Sequence, residues 1–170
     1  SATARRLRLA VMASGRGTNL SALLQAACQP DYPAEVALVV SDRETAGALE
    51  RAREAGVPGL FLDPKAYGDR AAYDDALVDT LTSHRIELVC LAGFLRILGG
   101  QVVRAFQERI LNVHPALLPA FPGLHAQRQA LAYGAKVSGA TVHFVDEGVD
   151  TGPVILQACV SVRADDTEHI

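Results

Sequence analysis

"LRLAVMASGRGTNLSALLQAAC", residues 7–28, reads as a strand, a glycine loop and a helix in succession. It opens on a short apolar run (7–13) that reads as a buried strand. It closes on apolar residues at helical spacing (19–28). Between them, "ASGRGTNL" (13–20) gathers backbone N–H groups at the positive end of a helix dipole, an arrangement that holds an anion. Gly15 and Gly17 permit a tight turn and close backbone approach, while Thr18 and Asn19 add side-chain donors. The dinucleotide fingerprint would need glycine where Leu20 stands, so a monophosphate suits the loop better. Asp42, ending the next strand, keeps a ribose-binding NAD reading open, and a plain strand–helix turn would look the same.

Outward from this unit the alternation continues. Strands are predicted at 35–42, 59–62, 87–94 and 109–113, with helices at 46–56, 70–85 and 99–107. In the 70–85 helix, Ala71, Leu77, Val78 and Leu81 are expected to face the core. Strands alternating with helices signal a parallel sheet covered on both faces. After a helix near 125–133 the pattern changes, and two β-rich runs, 138–145 and 152–162, flank the turn-rich "DEGVDT". The expected fold is therefore α/β: a mostly parallel sheet with helices on both faces and an antiparallel pair at its C-terminal edge. The last residues, "ADDTEHI", carry the capping pattern of a further helix.

A chain of 170 residues with 49% hydrophobic composition suits one domain with a sizeable core. No apolar run approaches the roughly 18 residues of a membrane span. The basic start before an apolar stretch has no cleavage site after it, so it reads as a loose N-terminus leading into a strand. Cys28, Cys90 and Cys159 are widely spaced, odd in number and set in apolar segments. They read as buried free thiols of a reducing cytosol rather than disulfides or zinc ligands. A net charge of −3 disfavours a general nucleic-acid binder but leaves room for a small anionic ligand.

"ERILNVHPALLPAFPGLHAQ" (108–127) carries the chemistry. Strand side chains alternate, so Asn112 and His114 share a side, at the carboxyl end of a strand where α/β ligand crevices open. Pro115 stops the ladder, and Pro119 and Pro122 stiffen the loop beyond it. Alone, this pattern is weak evidence of a site, and a structural cap is the commoner explanation. "DEGVDTGP" (146–153) could carry Asp150 over the same crevice, where its carboxylate would favour imidazolium at His114. Asn112 then adds a neutral donor beside a cationic one, a pair suited to charge developing on a carbonyl oxygen. Asp beside Gly is also an ordinary turn. His143 reads as a packed or hydrogen-bonded core residue, His84 as a helix-end residue, and His125 as a helix start or a substrate contact. No histidine pair has metal-site spacing. Arg70 and Arg96, judged alone, are solvated cations, although Arg96 falls just beyond a central strand.

Together "SGRGTNL", "LAGFLRIL", "LNVHPALLPAFPGLHAQRQAL" and "VSGATVHFVDEGVDTGPVILQA" closely resemble the glycinamide ribonucleotide formyltransferase family, folate-dependent enzymes of purine synthesis. The resemblance runs from about residue 7 to the end. It implies a cytoplasmic enzyme in which the glycinamide amine attacks the formyl carbon of 10-formyltetrahydrofolate, with no metal, nucleic acid or membrane involved. It implies a Rossmann-like fold with the nucleotide phosphate at Gly17, Thr18 and Asn19. The folate would lie between Arg70, the segment Leu95, Arg96, Ile97 and Leu98, and the loop Asp146, Glu147, Gly148, Val149. His114 and Asn112 would stabilise the oxyanion, His114 would transfer a proton, and Asp150 would orient His114. The family continues through a C-terminal helical region, so residues 1–170 are expected to be a single formyltransferase domain lacking that region. Methionyl-tRNA formyltransferase would add a C-terminal domain and a basic surface; formyltetrahydrofolate hydrolase would add an N-terminal regulatory domain. A non-catalytic nucleotide-binding module would leave Asn112, His114 and Asp150 unexplained.

Overall fold

The computed structural model describes residues 4–168. In chain order it contains β1 (Leu7–Met12), α1 (Thr18–Ala27), β2 (Ala34–Ser41), α2 (Gly47–Glu54) and β3 (Gly59–Phe61). Then come α3 (Arg70–Ser83), β4 (Leu88–Leu91), α4 (Gly100–Ala105), β5 (Ile110–His114), α5 (Ala126–Tyr133), β6 (Val137–Phe144) and β7 (Val154–Ser161). The hydrogen-bonded strand order is β3-β2-β1-β4-β5-β6-β7. The chain divides into two compact units at Ile110/Leu111.

In the first unit β1 pairs in parallel with both β2 and β4, and β2 with β3. The chain steps outward from β1 to β3, then returns past β1 to β4. Right-handed crossovers therefore place α1 and α2 on one face and α3 on the other. The packing agrees, since α1 touches α2 and α3 touches α4. Leu20 settles why the dinucleotide pattern is broken. It is fully buried against Val11, Val39 and Ala48, filling space that the third glycine of that fingerprint would leave to close helix–strand packing. A buried leucine of this kind contributes about 1.5–3 kcal/mol.

In the second unit β6 pairs antiparallel with β5 and with β7, so the antiparallel run has three strands, one more than the expected pair. All eight residues of β7 are exposed. This corrects the reading of the cysteines as buried. Cys159 lies on β7 and Cys28 just past the end of α1, both exposed, while Cys90 is half-buried; all three are free thiols.

Two other expectations change. On α3, Ala71 is exposed and Val78 half-buried; Tyr73 and Asp74 join Leu77 and Leu81 in the interior. The buried face follows the i, i+4 row 73–77–81, which apolarity alone did not single out. The start of the chain is tied rather than loose from Arg5 onward. Arg5 pairs with Glu87, and Arg6 donates to the carbonyls of Tyr32 at 3.1 Å and Ala34 at 2.6 Å. Residues 1–3 lie outside the described residues. The predicted terminal helix begins instead as a turn, where Asp166 Oδ2 accepts the Arg163 N–H at 2.7 Å; His169 and Ile170 lie outside the described residues.

Candidate active site

The glycine loop forms the N-terminus of α1 as the sequence requires. Gly17 is the N-cap with φ +77, and no side chain caps the helix. No acidic residue stands in the first turn, so the dipole's positive end is uncompensated there. Thr18 and Asn19 expose their side chains at this end. The loop is held from α2: the Ala48 N–H donates to the Gly15 carbonyl at 3.1 Å and Arg51 Nε to the Arg16 carbonyl at 2.6 Å. A Cβ on Gly17 would lie 2.8 Å from Ala48 Cα, so Gly17 is fixed by packing as well as by its backbone angle.

Also in the first unit, Arg70 donates to the Ile97 carbonyl, and the Arg96 guanidinium lies 5.2 Å from the centre of the Tyr73 ring. Leu95 and Ile97 are exposed, whereas Leu98 is buried. Among the described residues, the buried Tyr73 hydroxyl and Asp42 Oδ1 have no hydrogen-bond partner. Burial first, and then the Asp42 charge, push that hydroxyl up to about 12.

The second unit contains the titratable cluster. His114 is 4% exposed at the end of β5. Its Nδ1 is 3.4 Å from Asp150 Oδ2, and its Nε2 donates to the Phe121 carbonyl at 2.8 Å. A carboxylate on one nitrogen and a carbonyl on the other are matched when the ring carries both protons. Asp150 Oδ2 also accepts the Gly123 N–H at 2.8 Å, so the proline-rich loop and the 146–153 loop are tied at the same carboxylate. Asp150 takes φ +54 to do this, a strained angle for a residue with a Cβ.

Sequence alone undervalues His143. It is buried, as expected of a core residue, but it stands opposite Asn112 in the β5–β6 register. Its Nδ1 donates to the Phe144 carbonyl at 2.9 Å, leaving Nε2 as an acceptor for the Asn112 amide at 3.3 Å. That bond turns the Asn112 NH2 group toward His143 and leaves its second N–H available. His143 Nε2 is also 3.6 Å from Asp150 Oδ1. The signal for it was a polar residue on a strand facing the Asn-x-His strand, which carries no weight until the register is known.

In the loop before Asp150, Asp146 Oδ1 accepts from Thr151 Oγ1 at 2.7 Å and from the Gly148 N–H at 2.9 Å. The Thr151 hydroxyl first, and then the Gly148 N–H, hold the Asp146 carboxyl below its ordinary range. Glu147, Gly148 and Val149 are exposed. His84 caps α3, with Nδ1 donating to the Thr80 carbonyl at 2.8 Å, and His125 is the N-cap position of α5. Among the described residues, no group of three or more His, Cys, Asp or Glu side chains could hold a metal ion. No helix there is long and apolar enough to cross a membrane.

Fold and site define a Rossmann-like α/β protein with a glycine loop at an uncapped helix N-terminus and a buried histidine–carboxylate pair beside an oriented amide. The chain belongs to the formyl transferase family, whose pattern it matches over residues 7–170. It is 51% identical over 162 residues to phosphoribosylglycinamide formyltransferase of Mycobacterium tuberculosis (strain H37Rv), covering 95% of this chain and 74% of that one. It is 48% identical over 166 residues to the trifunctional purine biosynthetic protein adenosine-3 of Drosophila melanogaster, covering 96% of this chain but 12% of that much longer one. The crystal structure of glycinamide ribonucleotide transformylase 1 from Symbiobacterium toebii superposes with a TM-score of 0.94 at 54% identity, covering 96% of this chain and 77% of that chain.

Proposed function

We propose that the chain transfers the formyl group of 10-formyltetrahydrofolate to the amine of glycinamide ribonucleotide, in the cytoplasm, as a single formyltransferase domain. The observation that carries this reading is the buried His114–Asp150 pair with Asn112 beside it. Similarity to proteins named for that substrate supports it.

In the reaction the amine nitrogen attacks the formyl carbon, forming a C–N bond, and the carbonyl electron pair moves onto oxygen. The spare N–H of Asn112 and the Nε2–H of His114 meet that oxyanion. His114 releases the Phe121 carbonyl to do so. Collapse breaks the bond to N10 of the folate, which takes up the proton lost by the amine, relayed by His114. The products are formylated ribonucleotide and tetrahydrofolate, and the balance needs no redox change or phosphate hydrolysis. The ribonucleotide phosphate sits on the N–H groups at Gly17, Thr18 and Asn19. In the first unit the folate-binding residues are Arg70, Leu95, Arg96, Ile97 and Leu98; in the second they are Glu147, Gly148 and Val149. Asp146 acts there by shaping its loop.

Incubation of the chain with 10-formyltetrahydrofolate, with and without the ribonucleotide, tests the assignment. Tetrahydrofolate should form only when the ribonucleotide is present, in equal amount with formylated product. Release of formate without ribonucleotide would make the chain a hydrolase. No reaction, with either ligand bound, would leave a binding module.

A further inference from the structure

One buried side chain, Ser14, joins the glycine loop to the 93–98 segment. It lies just past the end of β1 and is 2% exposed. Its N–H donates to the Gly93 carbonyl at 3.1 Å, and its Oγ accepts the Leu95 N–H at 2.9 Å. Only the first of these resembles strand pairing. The β1–β4 ladder ends with Met12 opposite Leu91, and Ala92 N–H to Met12 carbonyl at 2.8 Å extends it one step. The chain then turns at Gly93, φ +75, and Leu95 N–H is met by a hydroxyl. Alanine at position 14 would leave that N–H without its acceptor.

The backbone on each side of Ser14 is anchored. Toward α1, Ala48 and Arg51 hold the carbonyls of Gly15 and Arg16. Toward α4, the first turns of α3 hold the other segment. Arg96 lies over Tyr73, Arg70 donates to the Ile97 carbonyl, and Gln101 Nε2 donates to Asp75 Oδ1 at 2.6 Å. Gly99 is so close to Asp74 that a Cβ there would be 1.8 Å from Asp74 Oδ2. Two constrained segments therefore meet at one hydroxyl.

We propose that Ser14 is a positioning residue that couples binding of the two substrates. The inference rests on the proposed function, in which Gly17–Asn19 take the phosphate and residues 95–98 take the folate. Phosphate on the α1 N-terminus pulls on the Gly17–Asn19 backbone, and residues 13–17, already held by Ala48 and Arg51, pass the displacement on as one stiff segment. Through Ser14 Oγ this shifts the Leu95 N–H, and with it the backbone that the folate meets. A displacement by folate runs the other way, and linkage makes the two effects equal.

The test is equilibrium titration of the whole chain with tetrahydrofolate, which has no formyl group to transfer, with and without saturating glycinamide ribonucleotide, and then in the reverse order. In the unsubstituted protein each ligand should tighten the other by about fivefold or more. In Ser14→Ala that factor should fall to near one while each ligand alone stays within about threefold of its original Kd, about the effect of one hydrogen bond. Ser14→Thr, which keeps the acceptor, should restore the factor. An unchanged factor in Ser14→Ala overturns the proposal, as does a factor of one in the unsubstituted protein when both ligands bind. Failure of the unsubstituted protein to bind either ligand overturns the functional reading and the coupling with it. If circular dichroism shows Ser14→Ala unfolded, Ser14→Cys replaces it, because sulfur is a weak acceptor at similar volume. An undiminished factor there refutes the link equally.

Discussion

Asp150 takes a strained backbone angle, φ +54, so that one carboxylate oxygen can face both His114 Nδ1 and the Gly123 N–H. Asp150→Asn keeps the shape and an acceptor for Gly123 but removes the charge opposite the ring. Turnover should fall on the order of a hundredfold or more, the usual loss when an oxyanion donor is disabled. Michaelis constants and thermal midpoint should stay close to those of the unsubstituted protein. A well-folded Asp150→Asn chain that turns over normally would remove Asp150 from the mechanism. The cysteines give a second test of a single residue's surroundings. Burial pushes the Cys90 thiol up from 9.0 to about 11. Its folded value lies above its unfolded one, so its contribution to stability is full below pH 9 and is lost as pH rises toward 11. At pH 8 its thiolate fraction is about a hundredfold below that of an ordinary cysteine. Iodoacetamide should therefore modify Cys28 and Cys159 quickly and Cys90 slowly, as peptide mass mapping over time would show. Equal rates at all three would contradict the burial of Cys90.

Loops are the elements that the site depends on. In the loop before α1, Gly17 and Gly15 look alike in sequence but not in space. Around Gly15 a Cβ would meet nothing within 4 Å, whereas at Gly17 it would strike Ala48 at positive φ. Gly17→Ala should cost about 1–3 kcal/mol through overpacking and backbone strain. Gly15→Ala should stay within about 1 kcal/mol of the original. Urea unfolding of both variants checks the order, and equal losses would refute it. The 146–151 loop is tied by the ionised Asp146 carboxyl, held low first by Thr151 and then by Gly148. Its folded value lies below the unfolded one, so the tie is fully present above the ordinary carboxylate range. The tie is lost as pH falls through the lowered value. The Gly148 amide proton should titrate with a midpoint under 3.8, the ordinary value. A midpoint at or above it would show the loop to be untied.

Across the whole molecule the unusual surface is β7. Val154, Ile155, Leu156 and Val160 are exposed along one strand at the end of the strand order. Unpaired strand edges with apolar side chains invite pairing with another chain, and lysine is the common protection. Leu156 is 65% exposed, so Leu156→Lys removes no core contact. At equal protein concentration the variant should scatter less light and show a smaller hydrodynamic radius, with its melting midpoint unchanged. No change in scattering would mean that β7 does not promote association.

Features whose cause lies within a few residues were legible in the order of amino acids. Alternating apolar runs and helical spacings set the α/β order, and a strand–glycine–helix junction set the α1 terminus. Period-two geometry put Asn112 and His114 on one side of β5, and Pro115 ended that strand. What depends on segments far apart in the chain came only with folding. His143 reaches Asn112 across 31 positions only because the β5–β6 register sets them opposite each other. The Phe121 carbonyl reaches His114 through a returning loop, and Leu95 finds Ser14 across 81 positions. Cys159 is exposed because among the described residues nothing covers β7, last in the strand order, on either face, which its apolar context concealed. Periodicity is a property of neighbours along the chain, whereas register, edge position and loop closure come from packing free energies summed over distant residues, which no short window contains.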